Sequence, residues 1–257
     1  MALLYAVYGL LGPLSLLGTA FWIWMLYDCL KNGSRGGFTW VWILLFLNII
    51  GAALYFVIVW MPNHPNAFSN LPWVQRGKLQ DALWQAEAQA KNIGNAYQYQ
   101  KLGDIHHQLG NLEAAGKAYE TALEKEPENI QTLWGTACVE VEQEKLAIAR
   151  DHLAKLITLK PDFSYGEASL AYGQVLYQLE EREQAASHLK EHLKSWSHPE
   201  AYLMLAQMQQ EAGEMATARD TLETMIIRIK SSTQFQYRKN KRYIQQGERL
   251  LSQLSSS

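Results

Sequence analysis

Residues 96–129, from Ala96 to Asn129, read AYQYQKLGDIHHQLGNLEAAGKAYETALEKEPEN, and this stretch decides the fold. Apolar and small residues recur at three- and four-residue spacing in two runs, so both runs are amphipathic helices. Gly110-Asn111 marks the turn between them. Gly103 and Ala115 are small where the two helices must cross, and Pro127 ends a helix that it cannot continue. The unit repeats. Thirty-four residues beyond Pro127 stands Pro161, and 34 beyond Ala115 stands Ala149, which defines a second unit from Ile130 to Phe163 with Thr136-Ala137 in place of Leu102-Gly103. A third unit runs from about Gly166 to Pro199 through Tyr172-Gly173 and Ala185, displaced by two residues. A fourth runs from about Pro199 to Ser232, with Tyr202, Leu205-Ala206, Gly213, Ala218 and Leu222. Val74–Asn92 predicts one helix before the array, and Gln234–Leu254 predicts one that closes it. Terminal units of a stacked array need such covers, because each unit buries its apolar face only against a neighbour.

Tyr99, Leu102-Gly103, Gly110, Ala115, Tyr119, Ala122 and Pro127 resemble the 34-residue tetratricopeptide (TPR) pattern. The resemblance implies an all-α solenoid whose first helices line a concave, partner-binding groove. Carried across by repeat register, the groove residues are Tyr97, Lys101, Asp104 and His107 in the first repeat and Trp134, Cys138 and Glu142 in the second. The third contributes Gln174 and Tyr177, and the fourth Met204, Gln207 and Gln210. A mixed aromatic and polar wall suits a peptide or a partner helix. Trp134 and Tyr177 are the aromatic anchors this reading prefers, with packing of Trp134 between repeats as the alternative. The carboxylate clamp that some TPR domains use on chaperone tails is not reproduced, since Gln100 and Asp104 stand where its Lys and Asn are expected.

Upstream of the array the chain changes solvent. No Asp, Glu, Lys or Arg occurs from Met1 to Tyr27, or from Gly36 to Gln75. About 20 apolar residues span a bilayer core as a helix, so Leu3–Tyr27 and Phe38–Met61 predict a two-helix transmembrane hairpin. DCLKNGSRGG between them supplies the polar turn, and Trp22, Trp24, Tyr27, Trp40, Trp42 and Trp60 fall where membrane interfaces should. A cleaved signal peptide is disfavoured by the missing basic start and the long apolar run. Asn48, in mid-span, is expected to bond Ser15 or Thr19 of the first helix, with close approach at Gly18 and Gly51. The segment FWIWMLYDCLKNGSRGGFTWVWILLFLNIIGAALYFVIVW, with landmarks Trp22, Asp28, Trp42, Gly51 and Tyr55, resembles the N-terminal domain of phospholipase D-type cardiolipin synthases. That family usually carries Pro where this chain has Asn48. The lipid-synthesis activity does not follow, because the two His-x-Lys pairs, His188/Lys190 and His192/Lys194, have Ser195 and Pro199 where the family's Asp is required.

Little else carries chemistry. The formal net charge of −2 argues against a polyanion-binding protein, so no nucleic acid is expected. Cys29 and Cys138 give neither a disulfide framework nor a metal spacing. His188-Leu-Lys-Glu-His192 matches an inverted zinc-peptidase pattern but lacks a third ligand, and it reads as repeat filling, so neither metal nor cofactor is expected. Tyr237-Arg238-Lys239-Asn240-Lys241-Arg242 is the densest positive run and reads first as a solvated helix face, with anionic lipid or RNA as the sharper readings. The expected organisation is a hairpin at 1–61, a linker at 62–73 (MPNHPNAFSNLP) and a TPR domain at 74–257. The expected function is a non-enzymatic scaffold that holds a partner protein at the inner membrane, or else an auxiliary subunit of an envelope or phospholipid-synthesis enzyme. Lys31 and Arg35 place the turn in the cytoplasm, while Arg76 and Lys78 favour cytoplasmic repeats, towards which the reading leans.

Overall fold

The computed structural model describes residues 2–32, 37–64, 67 and 71–255. Met1, the polar turn at 33–36, linker positions 65, 66 and 68–70 and the last two serines lie outside it. Every regular element among the described residues is helical. The chain divides into two compact units, Met1–Lys78 and Leu79–Ser257.

In the first unit α1 (Ala2–Asn32) packs on α2 (Gly37–Tyr55). Met25 and Cys29 of α1 meet Leu44, Ala52, Tyr55 and Trp60, all buried. The Tyr55 hydroxyl donates to Asp28 at 3.1 Å, which joins two of the family landmarks. Thr39–Asn63 is long and apolar enough to cross a membrane, with a mean hydropathy of 2.5. It is not straight. Asn48 has φ 47° and ψ −120°, the dihedrals that open a mirror-image type II turn, so the helical run before it and the run after it point differently. Asn is among the few residues that tolerate positive φ. The return brings Trp40 and Tyr55 to 5.6 Å between ring centroids and sets Gly51 against the Ile43 carbonyl, where a Cβ would fall 2.5 Å away. The Trp22 indole donates to the Leu44 carbonyl at 2.7 Å, the acceptor that an unbroken helix would pair with the Asn48 amide.

Two expectations are corrected here. The segment from Phe38 to Met61 is not one straight spanning helix but two helical runs meeting at Asn48, the second ending in a π-turn (Phe56–Trp60) and a last short turn, α3 (Met61–Asn63). Asn48 itself is exposed and acts through its backbone; the close approach at Gly51 is made within its own segment, while Gly18 lies beside Ile49. The Ser15 side chain lies outside the described residues.

The second unit is a series of helix pairs. After α4 (Pro72–Ile93) come α5 (Ala96–Gln108) and α6 (Leu112–Lys125), α7 (Ile130–Glu142) and α8 (Leu146–Leu159), α9 (Glu167–Gln178) and α10 (Arg182–Ser195), α11 (Pro199–Glu211) and α12 (Met215–Lys230), then α13 (Gln234–Ser255). Asn95 caps α5 by accepting from the Gln98 amide, and Asn129, 34 residues later, caps α7 from the Thr132 amide. Where a third Asn would stand there is Phe163, buried, followed by a 3-10 turn in which Ser164, Tyr165 and Gly166 are all left-handed, at φ 49°, 55° and 87°. This turn absorbs the two-residue displacement of the third repeat.

Each pair closes in the same way. A residue with positive φ (Gly110, Glu144, Glu180, Gly213) follows the first helix. Its amide donates three residues back and the next amide donates five back, for example Gly110 to His107 and Asn111 to His106, both at 2.9 Å. This is a Schellman cap, made four times over.

Candidate functional site

The first helices α5, α7, α9 and α11 carry the predicted wall, and its residues have different fates. Tyr97 and Lys101 are exposed. Asp104 is half-buried and accepts from the Tyr119 hydroxyl of α6 at 2.7 Å. His107 Nε2 lies 2.7 Å from Glu142, a bridge from the first repeat to the second. Trp134 is half-buried with its ring 5.7 Å from Phe163, packed on the cluster of Leu133, Ala137, Leu153 and Leu156. Burial, and after it the charge of Glu142, pushes the Cys138 thiol up to about 11, so it stays protonated at neutral pH. Tyr177 lies under the Arg182 guanidinium, 3.9 Å from its ring centroid, and Arg182 also reaches Glu211 at 3.6 Å.

Three predicted residues converge. Gln174, Met204 and Gln207 line a hollow of about 510 Å³ with Glu200 and Leu203 of α11 and Tyr243, Gln246, Arg249, Leu250 and Gln253 of α13. Its chemistry is an apolar floor of Leu203, Met204 and Leu250 rimmed by four glutamine amides, with one guanidinium at its edge. Glutamine both donates and accepts, as a peptide backbone requires of its partner. The Tyr243 hydroxyl, shared between Glu200 and Arg242, fixes α13 against α11. Gln210 is half-buried and does not line the hollow. Glu200 and Leu203 occupy groove positions of the fourth repeat and were accessible by register, but were not assigned. The α13 residues carry no repeat register, and the hollow takes the edge of that helix's buried stripe, at Tyr243 and Leu250, together with the polar side chains beside it.

A larger hollow of about 680 Å³ lies between α6, α7 and α8. Charged side chains such as Glu113, Lys117, Glu120, Glu124 and Lys145 dominate it, together with the His152–Glu140 pair at 2.8 Å, so it is a solvated cleft away from the first-helix wall.

The His-x-x-Glu-His segment sits on α10, and both imidazoles turn to Ser169 of α9. His188 Nε2 donates to the Ser169 carbonyl at 2.8 Å, and His192 Nδ1 meets the Ser169 hydroxyl at 2.9 Å. His192 Nε2 is hydrogen-bonded to His198 Nδ1 at 2.9 Å. Burial, then the neighbouring His198 and His188, lowers the buried His192 to about 4, and burial likewise lowers His188. Glu191 faces solvent and pairs with Lys194. His188 Nε2 and both nitrogens of His192 are engaged in joining α9, α10 and the start of α11.

Residues 20–59 match the family described as Phospholipase_D-nuclease N-terminal, and residues 92–129 and 170–232 match tetratricopeptide-repeat families. No curated protein matches the chain. Among solved structures it is similar to MamA 41-end from Desulfovibrio magneticus RS-1, at 15% identity and TM-score 0.55 over 62% of this chain and 91% of that one. It is also similar to Pseudomonas aeruginosa PilF, at 18% identity and TM-score 0.52 over 72% and 87%. YrrB, described as a TPR protein with an unusual peptide-binding site, aligns at 21% identity and TM-score 0.48 over 54% and 71%. The chain thus joins a phospholipase D-nuclease N-terminal segment to an array of tetratricopeptide repeats.

Proposed function

We propose that this protein is a non-catalytic scaffold, tethered to the cell's inner membrane by residues 3–61, whose repeats hold a protein or peptide partner in the cytoplasm. The observation that carries the reading is the glutamine-rimmed hollow of α9, α11 and α13, where Gln174, Met204 and Gln207 meet over an apolar floor. An extended segment would place one apolar side chain on Leu203, Met204 and Leu250 while its backbone pairs with the amides. The rest of the wall, from Tyr97, Lys101 and His107 to Trp134 and Tyr177, would extend the contact toward the first repeat. Tethering raises the local concentration of a partner at the bilayer, so modest affinity suffices. Boundaries at 1–61, 62–73 and 74–257 follow from the same reading. The match of residues 20–59 to a phospholipase D-nuclease segment favours a second reading, in which the partner is an envelope or phospholipid-synthesis enzyme acting in trans.

A photo-cross-linking residue at Gln207, compared with one at Glu223 on the exposed side of α12, tests the site in membranes. A single adduct at position 207 that disappears with Met204→Glu supports it. The same adducts at both positions, or adducts at 207 indifferent to Met204→Glu, would place the partner elsewhere.

A further inference from the structure

The closing helix α13 has two faces of different chemistry. Tyr243, Ile244, Gly247 and Leu254 are buried, and this face packs on Met225, Ile226 and Ile229 of α12. On the other side, Phe235, Arg238, Lys239 and Arg242 follow one another at helical spacing, so they share an exposed stripe, with Lys241 at its flank. Between Glu223 and Glu248 the chain has six cations and no acidic residue, in a protein whose formal net charge is −2. Lys230 is paired with Glu248, and Arg228 is held by Ser197 and the Tyr202 ring. Arg238, Lys239 and Lys241 have no carboxylate within ion-pair reach among the described residues. Phe235, in the first turn of the same stripe, is 77% exposed.

A face that only needs solvation has no use for an exposed phenylalanine among cations of one sign. Cations flanking an exposed aromatic ring on an amphipathic helix match an anionic lipid surface, where the cations meet headgroups and the ring enters the interface. We infer that the first turns of α13 dock on anionic phospholipid. This rests on the membrane-anchored reading, which places the repeats beside a bilayer. The contact would hold the helix series at the end opposite α4 and present the α9–α11–α13 hollow close to the membrane surface.

The test uses the full chain in lipid nanodiscs. A spin label at Gln234→Cys, in a Cys29→Ser/Cys138→Ser background, reports contact with lipid-dissolved oxygen against a water-soluble nickel chelate. A second label at Glu144→Cys, in the turn between α7 and α8, is the reference. The expected result is a rise in the oxygen-to-nickel ratio at position 234, but not at 144, when about a third of the phosphatidylcholine is replaced by phosphatidylglycerol. The rise should reverse in roughly 1 M salt, where screening length falls to about 3 Å. It should vanish in Phe235→Ser/Arg238→Gln/Lys239→Gln/Lys241→Gln, checked for unchanged melting. A label at 234 that stays aqueous in both discs overturns the inference while leaving the anchor intact. Immobilisation of the label by a mixed-sequence RNA, with no response to lipid, assigns the patch to nucleic acid and also overturns it. If the chain fails to enter neutral discs, the anchor reading falls, and flotation with phosphatidylglycerol vesicles, wild type against the fourfold variant, decides the patch alone.

Discussion

The Tyr119 hydroxyl donates to Asp104 across 2.7 Å, and its ring occupies the space that side chains at Gly103 and Gly135 would need. A Cβ at either glycine would fall 2.6 Å from the ring. One tyrosine therefore joins both helices of the first repeat to the first helix of the second. Burial, and then the Asp104 carboxylate, raises its phenol well above the usual range, so it remains a donor at any working pH.

Tyr119→Phe should lower stability by about 1–2 kcal/mol, since a charge-assisted hydrogen bond is lost while Asp104 can regain water. Gly135→Ala should cost about 1–3 kcal/mol by overpacking. Denaturant melts of the purified chain, read by helicity, measure both. A neutral Gly135→Ala would contradict the wedge.

The four Schellman caps differ in one respect. Gly110 and Gly213 adopt positive φ without a Cβ, whereas Glu144 and Glu180 do so against it. The left-handed region costs a non-glycine residue about 1–2 kcal/mol, and glycine returns about 0.5–1 kcal/mol of this in unfolded-chain entropy. Glu144→Gly and Glu180→Gly should each stabilise by about 0.5 kcal/mol, and Gly110→Ala should destabilise by about 1 kcal/mol. Thermal or denaturant midpoints that move the other way would show that these turns are not under strain.

His192 provides a pH signature. Its ordinary value is 6.5 and its folded value is about 4, so above pH 6.5 both folded and unfolded chains hold it neutral. As pH falls from 6.5 to 4 the unfolded chain takes up the proton first, and stability declines before levelling off below 4. The full difference is ~3 kcal/mol for this buried group, with His188 acting in the same direction. His192→Leu should flatten the pH dependence of the melting midpoint over this window relative to wild type, whatever its effect at neutral pH. An unchanged slope would mean that His192 titrates normally in the folded chain.

Asn48 sets the break in the second apolar segment. Asn48→Gly should preserve the unit, while Asn48→Val, a β-branched residue poorly suited to φ 47°, should loosen it by about 1–3 kcal/mol. The buried Cys29 thiol, 2% exposed, reports on this. In detergent its modification by a small thiol reagent should accelerate with Asn48→Val and not with Asn48→Gly. Equal rates in all three proteins would mean that the break does not organise the packing around Cys29.

The period was written in the chain. Small residues at Gly103 and Ala115, prolines 34 apart and the Gly110 turn determined a stack of helix pairs, because close helix crossings admit only small side chains and proline stops a helix whatever surrounds it. Hydropathy likewise marked the apolar segment, since a bilayer core demands length and apolarity and little else. Residues Gln174, Met204 and Gln207 of the hollow were legible from register. Its other wall was not, because α13 belongs to no repeat and its placement depends on which face α12 buries. The same holds for the turns at Glu144 and Glu180, where a residue that disfavours positive φ accepts it once the cap bonds and the packed helices compensate. It holds too for Asn48. An asparagine in an apolar run permits either a helix or a reversal, and the contacts of Trp22, Asp28 and Tyr55 across the unit selected the reversal. Local chemistry determined which helices exist; where two conformations lay within a few kcal/mol, only packing between distant residues chose one.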